Sequence, residues 1–173
     1  MTATLNMVAY INCKGRKSMG FFFKSWKEKN LKIICKHYPF YKDICSDLLL
    51  SEFAVSGLKE RKKIREGSRK EKACLAYLIG NIDGFIRKAI DISTVDEDTR
   101  LHLVLTGYGY LMVEKDEITS DDEWVSTLTE LREMLLGNEY SSFVKLGIVS
   151  VLDPFEIEKQ ENWSQFEYEL ERL

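Results

Sequence analysis

The side chains able to do chemistry in this chain are two histidines, four cysteines and a large supply of carboxylates. His37 closes a strand-like basic segment and His102 alternates with leucines. Neither stands beside a G-x-S-x-G serine or another nucleophile with a local catalytic signature. Cys13, Cys35 and Cys45 could join His37 in a Cys3His zinc set, but Cys35 and His37, two residues apart, would share one strand face. Reduced, buried thiols account for these residues and for Cys74 at less cost. The carboxylates cluster as Asp96-Glu97-Asp98 and Asp121-Asp122-Glu123, and the second triplet is what a positive helix start attracts without a metal. The calcium loop D-x-D-x-D-G and the phosphate loops G-x-x-x-x-G-K-[ST] and G-x-G-x-x-G do not occur. The expectation is a non-enzyme with no cofactor and no metal.

What remains is charge. Lys14 to Lys72 holds 17 Lys and Arg against 7 Asp and Glu, a net of +10, while Ala73 to Leu173 holds 8 against 21, a net of −13. The overall charge of −3 conceals this division, which calls for an anionic partner in the first half: nucleic acid, acidic lipid or acidic protein. Candidate contacts are Lys14, Arg16, Lys17, Lys24 and Lys27, followed by Lys59, Arg61, Lys62, Lys63, Arg65, Arg69 and Lys70 in a dense basic run. Phe22 and Trp26 would stack on bases or enter a lipid interface.

The elements that must position these residues read as α+β, a small antiparallel sheet against several helices in a single globular domain over 1–173, basic over 14–72 and acidic over 73–173. Met7 to Ile11, Gly20 to Phe23 and Leu31 to Cys35 are short runs rich in β-branched and aromatic residues, as in a meander. A helical stripe follows from Tyr41 to Phe53. Ser68 with Glu71, and Ser120 with Glu123, have the spacing of capping boxes at helix starts. The first opens a helix with Leu75, Leu78, Ile79, Ile82 and Ile86 on one face, where Gly80 and Gly84 point to close packing. Trp124, Leu128, Leu131 and Leu135 form the face of the second, which stops at Gly137. Leu101 to Val113 carries both a helical stripe and a Thr106–Gly109 turn signal; a hairpin is the expectation. Phe143 to Leu152 fits a buried strand or a helix, ended by Asp153-Pro154. Trp163, Phe166, Leu170 and Leu173 form the seam of a last helix, expected to dock on the chain's own core.

A strand Leu31 to Lys36, an elbow Tyr38-Pro39-Phe40 and a helix from Tyr41 together resemble the start of the globular domain of rhabdovirus matrix proteins. The basic N-terminal region, Phe21-Phe22-Phe23 and Ser141 to Val149 are similar to that family too. The resemblance implies a self-associating structural protein that bridges ribonucleoprotein and acidic membrane, the basic loop of one copy meeting the acidic half of the next. The other reading is an intracellular adaptor or nucleic-acid-binding regulator, with a possible host protein as partner, that acts through the helices Ser68 to Asp91 and Ser120 to Leu136. Met1 to Tyr10 has no basic region leading into an apolar run, so a cytoplasmic or nuclear placement is expected, peripheral to membrane or in a virion if the chain is viral.

Overall fold

The computed structural model describes residues 19–91, 95–153 and 155–173, with side chains from Trp26 onward other than those of Glu156 and Ile157. Over the described residues the chain is a series of helices: α1 Met19–His37, α2 Phe40–Arg61, α3 Arg69–Ala89, α4 Glu97–Glu114, α5 Asp121–Leu136, α6 Ser141–Leu152 and α7 Glu156–Glu171. The α+β expectation is thereby corrected, since no strand and no sheet occurs among these residues. Gly20 to Phe23 and Leu31 to Cys35 both lie within α1, and 101–113 is one helix rather than a hairpin. The Met7 to Ile11 run lies outside the described residues.

α3 is the hub, packed against α2, α4, α6 and α7. Its burial runs nearly all the way round, from Ala73 and Cys74 to Gly84 and Ile86, so it is the core rather than a wall of it. The closest packing is with α6, where Gly80 and Gly84 meet Gly147 and Val151. That contact also holds polar groups. The Tyr77 hydroxyl donates to Ser150 Oγ at 3.0 Å, and Ser150 Oγ lies 3.0 Å from Oδ1 of the buried Asn81. Burying those groups would be costly without such partners.

Both expected capping serines hold. Ser68 Oγ and Ser120 Oγ each accept the N–H three residues on, at 3.2 Å. Their glutamates reach one residue further back than a capping box requires, Glu71 to the Gly67 N–H and Glu123 to the Thr119 N–H. α7 packs inward as expected, with Phe166 and Leu170 fully buried and Phe166 stacked 4.0 Å from the Tyr77 ring.

Candidate functional site

Folding sets the two charged halves against each other within one chain. Arg69 pairs with Glu139 at 3.2 Å, while Lys59 pairs within the basic half, with Glu71 at 2.5 Å. Arg61 and Lys62 reach Glu167 and Glu171 of α7, and Lys70 donates to the Glu171 carbonyl at 3.4 Å. Arg61, Lys62, Arg69 and Lys70 of the run are therefore occupied by the acidic half that a neighbouring copy had been expected to supply. Lys63 and Arg65, in the α2–α3 loop, have no carboxylate at ion-pair distance among the described residues.

The N-terminal candidates divide in the same way. Lys14, Arg16 and Lys17 lie outside the described residues; Phe22 and Lys24 fall on α1. Trp26 is half-buried and fastens α1 to the segment at Asp121, its indole N–H donating to that carboxylate at 2.9 Å. Lys27 donates to the Glu114 carbonyl at 2.7 Å and pairs with Asp116 at 3.1 Å, which ties α1 to the end of α4.

What the structure brings together instead is Lys29, Lys32 and Lys36. All three are exposed on α1, at spacings of three and four that place them on one helix face. A rise of 1.5 Å per residue spreads them over about 10 Å. No carboxylate of the described residues stands within ion-pair distance of any of them. The opposite side of the helix buries Ile34, and Cys35 is buried on its flank, so the lysine face is held outward by its own core contacts. Sequence reasoning missed this trio because it placed Lys29 in a turn and Lys32 and Lys36 on the strand after it, so that the three shared no common face. The helical spacing itself was the available signal.

The histidines and cysteines do not converge. His102 is half-buried beside the Tyr38 ring, 6.2 Å between centroids, and burial lowers its pKa. Among the described residues no group of three or more His, Cys, Asp or Glu is placed to hold a metal ion. Cys35 and Cys45 are free thiols, and Cys13 lies outside the described residues. No helix of the described residues is long and apolar enough to cross a membrane. No family model, curated protein or solved structure matches the chain.

Proposed function

We propose that this is a non-enzymatic, helical nucleic-acid-binding protein that holds a phosphate backbone against the Lys29, Lys32 and Lys36 face of α1. The observation that carries the reading is the contrast between these exposed lysines, free of carboxylates, and the basic residues that are paired internally. Phosphates need only such cations. An acidic membrane would gain about 1 kcal/mol per lysine, and stable attachment takes a second, apolar signal. Among the residues with described side chains, the large exposed apolar ones, Leu50, Phe53, Leu136 and Phe155 among them, belong to elements other than α1. The resemblance to matrix proteins implied a sheet, and the proposal does not rest on it.

The test is fluorescence anisotropy with single-stranded RNA and duplex DNA across a salt series. Three phosphate contacts give a log–log slope of about −2 for single strands and about −3 for duplex. Lys29→Glu, Lys32→Glu and Lys36→Glu together should abolish binding. Unchanged affinity in that triple variant, or binding confined to acidic vesicles, would sink the proposal.

A further inference from the structure

α5 is anchored along one edge. Trp26 holds its first turn through Asp121, and Trp124 lies over Gly109 of α4, on which the helix packs. Leu131 is its one buried residue among those described. On the side away from that anchor a cleft of about 800 Å³ opens between α5 and the pair α2 and α3. A helix whose apolar side is so sparingly covered leaves a slot in the bundle.

The cleft has an apolar floor and an acidic rim. Leu75 and Met134, both half-buried, line it with Met112 beneath. Its wall lysines are committed: Lys59 to Glu71 at 2.5 Å, and Lys115 to Glu52 at 2.5 Å and Glu117 at 2.7 Å. Glu66, Glu130 and Glu133 are exposed on the rim and have no cation at ion-pair distance among the described residues; Lys72 is the one opposing charge there. Along α5 the cleft runs from Thr127 to Gly137, about 15 Å at the helical rise, or nearly three turns of an occupant.

We propose that this slot receives a basic amphipathic helix from a partner protein. The apolar stripe of that helix would lie on Leu75, Met112 and Met134, with its lysines or arginines against Glu66, Glu130 and Glu133. Such a groove recognises a helix through anchors at i, i+3, i+4 and i+7. Methionine side chains adapt to varied anchors. A small polycation would answer the charges but leave the floor wet, which is why the apolar and acidic features together select a helix. This site is separate from the α1 lysine face and takes a partner of opposite charge.

The experiment uses the full chain with labelled methionine methyls. It is titrated with a synthetic Leu/Lys peptide of about four helical turns, and with a scrambled peptide of the same composition that has no apolar face. The expected result is saturable shifts of the Met112 and Met134 methyls with the patterned peptide and at least tenfold weaker binding of the scramble. Glu130→Lys with Glu133→Lys, both exposed, should weaken the patterned peptide at least tenfold with an unchanged circular dichroism spectrum. Unmoved methyls, equal binding of the scramble, or indifference to the double substitution would each overturn the proposal. So would methyl shifts that track protein concentration without peptide and a doubled mass in light scattering, since the occupant would then be a second copy.

Discussion

Gly80 of α3 and Gly147 of α6 lie backbone against backbone: a β-carbon built on either would stand 2.9 Å from the other's Cα. Alanine at either position gains about 1 kcal/mol of helix propensity. The obstructing atoms are main chain and cannot swing aside, so overpacking wins and the net loss should be about 2 kcal/mol. Gly57 supplies the control, because its nearest neighbour is the Arg61 guanidinium at 3.7 Å. Gly57→Ala should raise the thermal midpoint while Gly80→Ala and Gly147→Ala lower it by roughly 4–8 °C. Equal shifts for all three would show that the α3–α6 contact is looser than described.

The Lys62–Glu171 pair ties the end of α2 to the end of α7. The hydrogen bond from Lys62 holds the Glu171 carboxyl below its ordinary range, and the same bond raises Lys62. A depressed carboxylate contributes in full above its unfolded pKa, about 4.3, and loses that contribution as pH falls through the folded value. The raised lysine contributes in full below about 10.4 and loses it as pH rises through its folded value. The tie is thus strongest between those limits. Because the pair is exposed, its effect is local. Amide exchange in α7 should quicken in acid and in Lys62→Glu, and should return to the wild-type rate when Glu171→Lys is added. Failure of the swap to rescue would remove the pair's role.

The errors of sequence reading share a cause. Leu31 to Cys35 looked like a strand because β-branched residues lower helix propensity, but by well under 1 kcal/mol each. Burial of Ile34 and Cys35 between neighbouring helices overrides that preference. In 101–113, Gly107 and Gly109 signalled a turn. They are instead places where other elements come close: Gly107 faces Tyr41 and Ile82, and Gly109 faces the Trp124 ring. α4 is apolar on several sides because it is buried on several sides, which erases a clean period. The caps at Ser68 and Ser120 were legible because their partners lie three residues away. The cleft was not legible, since its walls come from four helices and its charges are set by pairs such as Lys115 with Glu52, 63 residues apart.

Thiol reactivity offers a third prediction. Burial pushes the Cys74 thiol up to about 11 and raises Cys35 as well, whereas Cys45 is only half-buried. Only the thiolate is nucleophilic, and at pH 8 a thiol of pKa 11 is ionised to about one part in a thousand. With Cys13→Ser to remove the one cysteine outside the described residues, a disulfide reagent should modify Cys45 first. Cys74 should react only at the rate of unfolding, as its acceleration by low urea would show. Prompt reaction of Cys74 in the native protein would mean that α3 is less enclosed than its packing indicates.

Tyr108, which lines the α5 cleft, is one of the groups that weaken the fold in alkali. Burial, aided by the carboxylates of Glu117, Glu52 and Glu71, pushes its phenol up to about 12. An unfolded tyrosine ionises near 10, so between those values the unfolded chain has lost a proton that the folded chain keeps. Stability must then fall as pH rises, by about 3 kcal/mol for a gap of this size, with the full contribution present below pH ~10. Tyr41 and Tyr110 are raised as well, also by burial first, so the wild-type loss alone would not isolate Tyr108. Comparison with Tyr108→Phe does. Urea titrations of the two proteins should run parallel below pH ~10, and above it the variant should become progressively more stable than wild type, approaching that 3 kcal/mol. Curves that stay parallel into alkali would mean that Tyr108 meets solvent in the cleft and ionises there without hindrance.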